Sequence, residues 1–260
     1  MSIPLLWGEF RRTIRLARSY WLEYASDLLL YTLGFLLLIT VFRAASTTYG
    51  PQGYLSTLIG YTIWKICASV LADIARIASD EARTGTLEQL FLSSVGSGTV
   101  FVGRSMGILL NHGIRGLVLA FLLAVILGIL QPVPLFAIIV FGLTLAGACG
   151  LGFALAGLVL VYKRIGGALN LLWQMLVFFT GALAPILNPI FGTIAKGLPL
   201  TLGITILRAI MIDGKEIGML WQNGMIPGLL INTAIYVALG VVLFTWGQQR
   251  ARELGVLAHY

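Results

Sequence analysis

Asp80-Glu81-Ala82-Arg83-Thr84-Gly85-Thr86-Leu87-Glu88-Gln89-Leu90-Phe91-Leu92 is a polar, helix-compatible interruption between two long apolar runs. Leu87, Leu90 and Phe91 recur at i, i+3 and i+4 and fall on one face of a helix, which leaves Asp80, Glu81, Arg83 and Glu88 to water or to a charged partner. Thr84 or Thr86 would cap such a helix. Two readings of the residues remain open: a short helix outside the membrane, or a connecting loop with one solvated turn. Either way the stretch divides the chain into membrane-seeking segments.

Those flanking runs decide the class. Of the 260 residues, 58% are hydrophobic and only 10% charged, with a mean hydropathy of +0.95. No water-soluble fold covers so much apolar surface, so the chain reads as an all-α, multi-pass membrane protein forming a single transmembrane domain over residues 1–260. Cys67 and Cys149 both fall inside apolar runs and read as small core residues. The chain does not open on a short apolar run followed by a small-residue cleavage site, so insertion is expected to use the spans themselves.

Six spans are expected. Residues 6–24 come before them as an amphipathic interfacial helix: Leu6, Phe10, Ile14, Ala17, Trp21 and Tyr24 make the apolar face, and Arg11, Arg12, Arg15 and Arg18 fill the flank and far side. The arginines suit anionic headgroups, and Trp7, Tyr20 and Trp21 suit the interfacial zone. A basic helix also suits nucleic acid, but this one runs straight into a span, so no nucleic-acid partner is expected. Span one covers about Leu28 to Phe42, and a turn-rich loop follows from Ala44 to Gly53. Span two covers Tyr54 to Ala75 and contains Lys65, either a packed lysine with a snorkelling stem or a functional charge. Span three covers Gly103 to Leu130. His112 and Arg115 lie three apart on one of its faces, where they would line an aqueous cavity, bind lipid phosphate, or satisfy one another near the interface.

Gln131-Pro132-Val133-Pro134 makes a tight turn into span four, Leu135 to Val161. Small residues repeat along that span at Gly142, Ala146, Gly150 and Ala154, and beside them at Ala148, Gly152 and Ala156, the pattern of a close helix–helix contact in lipid. The partner helix is not given by the pattern. Span five covers Ile165 to Leu183. Residues 185–212 are apolar but broken by Pro185, Pro189, Gly192, Gly197, Pro199 and Gly203, so neither half reaches spanning length. They read as a re-entrant pair of short helices. Asp213–Glu216 and Trp221–Gly224 read as turns, and Ile226 to Trp246 is span six.

Charge sets the orientation. With six spans, eleven Lys or Arg fall on the side of both termini and four on the other, which places the termini and residues 80–92 in the cytoplasm. The chain lacks a Gly-x-x-x-x-Gly-Lys-Ser/Thr phosphate loop, and its two histidines, His112 and His259, lie far from any metal-ligand set. Apart from Lys65, His112 and Arg115, ionisable groups are expected outside the spans or at their ends, which disfavours ion coupling through carboxylates.

Glu81, then Gly85-Thr86-Leu87-Glu88, then Leu90, placed between spans two and three, resemble the coupling-helix signature of membrane subunits in the ABC-2 class of ATP-binding-cassette exporters. Of the resemblance, only Gly85-Thr86-Leu87-Glu88 is specific at the residue level. The N-terminal helix is similar to the family's connecting helix, and Pro185, the Leu198-Pro199 pair and Arg208 are spaced like its re-entrant region. The resemblance implies that Glu81, Gly85, Thr86, Leu87, Glu88, Leu90 and Phe91 dock on a separate soluble ATPase. Two such ATPases would carry the ATP and Mg, and this chain would bind no cofactor. It implies a second membrane subunit, identical or different, in the plasma (inner) membrane. Spans two and five would line the path, placing Trp64, Lys65, Asn170, Trp173, Phe178 and Phe179 on it. Such a lining suits an amphipathic or lipid-like substrate and leaves a glycan open. The alternative is an ion-coupled secondary transporter or a non-transport membrane scaffold.

Overall fold

The computed structural model describes residues 21–45, 49–84, 97–162, 171, 174–175, 177–183 and 189–253, without the side chains of 80–84, 97–100, 189–191 and 252. Among the described residues the regular structure is helical throughout: α1 (Trp21–Ala45), α2 (Pro51–Thr84), α3 (Ser97–Leu127), α4 (Leu135–Val161), α5 (Pro189–Lys196), α6 (Thr201–Met211), α7 (Ile217–Gln222) and α8 (Met225–Glu253). Five of these, α1 to α4 and α8, are long and apolar enough to cross a membrane. The fifth of the six expected spans, 165–183, falls mostly outside the described residues, as does the interfacial helix before Trp21.

α4 is the central helix. It is apolar all round, and residues from Ala137 to Leu160 are buried along its length, because it packs against α2 on one side, α8 on another and α6 over its first half. The seam with α8 accounts for its glycines. A Cβ on Gly150 would meet the Tyr236 carbonyl, one on Gly157 the Leu243 carbonyl, and ones on Gly240 and Gly247 the carbonyls of Gly150 and Gly157. Backbone therefore rests on backbone at two levels one heptad apart. In lipid, where packing replaces the hydrophobic effect as the driving force, such approach is what joins helices. The small-residue stripe thus has its partner within the same chain. Gly152 faces Leu71 and Ile74 of α2, whereas Gly142 faces open space.

Helix ends differ from the sequence expectation for local reasons. α2 begins at Pro51, which the sequence reading left in a loop: proline's fixed φ and missing N–H suit a first turn, and Tyr54 N–H closes on the Gly50 carbonyl at 3.0 Å. α3 stops at Leu127 rather than Leu130, since Gly128 turns left-handed at φ 65° and the N–H groups of Gly128 and Ile129 cap the carbonyls of Val125 and Ala124. At its other end α3 starts at Ser97, six residues before the Gly103 expected as the start of span three. Residues 217–222 form α7, so Trp221 and Gln222, expected in a turn, belong to a helix. α8 runs seven residues beyond Trp246, with Arg250 and Glu253 paired at 2.8 Å in its last turn.

α5 and α6 are two short helices of 8 and 11 residues where the broken apolar segment stood in the sequence. At about 1.5 Å per residue neither covers the roughly 30 Å of a bilayer core. Their joining turn is pinned to α8, where Asn232 Nδ2 and Tyr236 Oη both donate to the Gly197 carbonyl at 2.9 Å. Arg208 of α6 holds the segment to the rest of the bundle. Its Nε donates to the Ser56 carbonyl of α2 at 3.1 Å, and its two terminal nitrogens donate to the carbonyls of Gly181 and Ala182 at 2.8 and 2.7 Å.

Candidate functional site

Polar side chains are sparse in these spans, so where they gather is informative. On α2, Lys65, Ser69 and Asp73 lie at i, i+4 and i+8 and form one stripe. On α3, Asn111, His112 and Arg115 share a face. On α1, Tyr24, Asp27 and Tyr31 do the same. The three stripes converge on a cavity of about 710 Å³ between α1, α2 and α3. α1 packs lightly on α3 and meets α2 through aromatic contacts such as Phe35 on Tyr61, which is why space remains between them.

The contacts across the cavity form a ladder. His112 Nε2 lies 2.7 Å from Asp73 Oδ2. Since a carboxylate only accepts, the ring nitrogen donates. Asp73 Oδ1 takes a second contact from Arg76 at 3.0 Å. Arg115 lies over the ring of Tyr24, 3.2 Å from its centroid, with Asp27 Oδ2 3.7 Å away. Tyr24 Oη in turn donates to Asn111 Oδ1 at 3.3 Å. Lys65 Nζ donates to Ser69 Oγ at 3.0 Å and lies over the ring of Tyr31, 3.4 Å from its centroid. Tyr61, behind Lys65, donates to the Tyr31 carbonyl at 3.1 Å and so ties α1 to α2. Cation–π stacking and charge-assisted hydrogen bonds lower the cost of holding these charges in apolar surroundings.

One of the three readings left open for His112 and Arg115 is ruled out here. His112 and Arg115 do not satisfy one another, although they are three apart on one helix; each meets an aspartate from a different helix. Asp27 and Asp73 lie toward the ends of helices of spanning length, where carboxylates were expected, but both line the cavity, which was not expected. The spacing of 65, 69 and 73, and of 24, 27 and 31, was the available signal.

Of the residues expected on the path, Trp64 and Lys65 line this cavity. Phe178 and Phe179 are exposed, at 75% and 41%, and do not line it. Gln174, a span-five residue not among those expected on the path, does. Asn170 and Trp173 lie outside the described residues, together with Gly85, Thr86, Leu87, Glu88, Leu90, Phe91 and Pro185. Glu81 belongs to the last turns of α2 by its backbone. Pro199 is buried at the turn between α5 and α6, and Arg208 is on α6. Cys67 and Cys149 are buried free thiols. Among the described residues no three His, Cys, Asp or Glu side chains gather closely enough to hold a metal ion.

Spanning helices, backbone-to-backbone seams and a largely apolar cavity holding a few charged side chains from three helices define a multi-pass helical membrane protein. Comparison with protein-family models finds no match, and comparison with curated proteins finds none.

Proposed function

We propose that the chain is the membrane-spanning subunit of an ABC-2 type exporter. It would move an amphipathic or lipid-like substrate (a drug, a lipid or a lipid-linked molecule) out across the plasma membrane. The observation that carries this reading is the position of Gly85-Thr86-Leu87-Glu88: the run begins where α2 ends at Thr84, between two spans, in a chain with a pair of short helices before its last span. A soluble ATPase, two copies per two membrane subunits, would hold ATP and Mg and press on Leu87, Leu90 and Phe91. The chain itself catalyses nothing in this scheme. Both termini are cytoplasmic in it, in keeping with the Lys and Arg distribution.

The test is purification of the chain from its native membrane in mild detergent. An ATPase of about 25–35 kDa, the scale of one or two domains, should accompany the wild-type chain, and Glu88→Lys should release it. Leu87→Asp should abolish coupled ATP turnover. A chain that purifies alone under conditions preserving other membrane complexes overturns the reading.

One observation favours a second reading. The hydrogen-bonded Asp73–His112 pair within the cavity is the kind of acid–base pair used in ion-coupled transport. Under that reading Asp73→Asn abolishes uptake or extrusion driven by a pH gradient in vesicles lacking ATP, and Glu88→Lys has no effect on it.

A further inference from the structure

Lys65 and Arg115 offer the cavity more hydrogen-bond donors than the residues around them accept. An ammonium group has three donors and a guanidinium five. Lys65 uses one on Ser69 and otherwise faces the Tyr31 ring. Arg115 makes no hydrogen bond among the described residues. Its Asp27 neighbour has a carboxylate oxygen 3.7 Å away, and its Nε is buried with no acceptor. That separation is beyond hydrogen-bonding length. The other charges at the cavity do not fill this need. Asp73 is engaged by His112 and Arg76, and the side chain of Asp27 is 48% exposed. A buried donor without an acceptor is costly, so the arrangement favours a multi-oxygen anion at these cations.

The cavity wall also has an apolar side. Leu28, Ile114 and Val118 line it, and Ile114 and Val118 are about half exposed, on the outward side of α3. A ligand matched to this site therefore carries a compact anion with several acceptor oxygens joined to apolar chains. The fork of Arg115 and the point charge of Lys65 are the two groups lining this cavity whose chemistry suits a tetrahedral phosphate.

We infer that the cavity between α1, α2 and α3 binds a phosphate group, held by Lys65 and Arg115, with an anionic phospholipid of the surrounding bilayer as its source. This does not rest on the ATPase reading, since the site lies within one chain and needs no partner.

The test is native mass spectrometry of the full chain released from detergent after equilibration with equimolar phosphatidylglycerol and phosphatidylcholine. The wild-type chain should retain phosphatidylglycerol preferentially. Lys65→Gln and Arg115→Gln should each cut that preference by roughly five- to tenfold, the scale of one cation beside an anionic headgroup. Lys65→Arg should keep it, as should Arg43→Gln, which removes an exposed cation at the far end of α1. Millimolar inorganic phosphate, added as a competitor, separates the sources: displacement of the lipid only at that concentration supports the lipid, whereas a tight phosphate adduct without lipid overturns the assigned source. Equal retention of the two lipids by the wild-type chain overturns the site, as does a loss with Arg43→Gln equal to that with Arg115→Gln. The wild-type comparison needs no variant to fold.

Discussion

The Arg208 guanidinium and the Ala182 carbonyl it binds occupy the space that a side chain at Gly60 would need. A cation from α6 can reach the backbone of the 181–182 bend only because α2 carries no Cβ at that level. Arg208→Ala leaves the carbonyls of Ser56, Gly181 and Ala182 without this donor. Since hydrogen bonds to charged groups contribute about 1.5–3 kcal/mol each, and partial rehydration offsets some of that, the expected loss is on the order of 3 kcal/mol. Arg208→Lys, lacking the fork, should recover only part of it. Gly60→Val should destabilise the chain through the same contact. Thermal unfolding in detergent, followed by circular dichroism, checks all three; an Arg208→Ala midpoint indistinguishable from wild type would falsify the clamp.

The seam between α4 and α8 makes a contrast within one helix. Gly157→Leu must drive backbone from backbone and should cost about 1–3 kcal/mol or more. Gly142→Leu, on the same helix with nothing within 4 Å of its Cβ position, should be tolerated. Equal unfolding midpoints for the two variants would rule out the seam.

Asp73 and His112 should be energetically coupled. In a double-mutant cycle with Asp73→Asn and His112→Gln, the interaction term should lie between about 0.5 and about 3 kcal/mol, the range for contacting residues. The pair Asp73→Asn and Arg43→Gln, whose residues sit on different helices without contact, should be additive. A coupling near zero for the first pair means that the contact between Asp73 and His112 contributes nothing to the fold.

Cys67 and Cys149 are buried, with relative exposures of 0% and 9%. In the folded chain both should react slowly with a maleimide, and both should react fully once SDS opens the bundle. Labelling of Cys67 at the rate of a free thiol in mild detergent would contradict its place in the core.

The sequence was most informative where local chemistry sets the outcome. Pro134 and the uninterrupted apolar run after it give the limits of α4, Leu135 and Val161. The prolines and glycines of 189–203 break the chain into helices too short to cross, as α5 and α6 are. What it did not reveal depends on which helices become neighbours. Lys65 is indistinguishable from a snorkelling lysine until Tyr31 is placed against it, and His112 and Arg115 look like partners until α1 and α2 each bring an aspartate. The glycines of α4 announced a close contact, but nothing in their spacing separates α8 from a second subunit. At the N-terminus of α2, a proline that breaks a helix elsewhere starts one.

α2 has 34 residues without a described interruption. At a rise of about 1.5 Å per residue that is a rod of about 51 Å. Its first turns meet the Arg208 clamp through Ser56, its middle carries Lys65 and Asp73, and its last turn hands the chain to the polar run at Gly85. An unbroken helix transmits torque along its whole length. A twist applied at Thr84 would therefore bear on the wall that carries Lys65 and Asp73, and would be resisted where the carbonyl of Ser56 is held by Arg208, much as a key works against the far end of a lock.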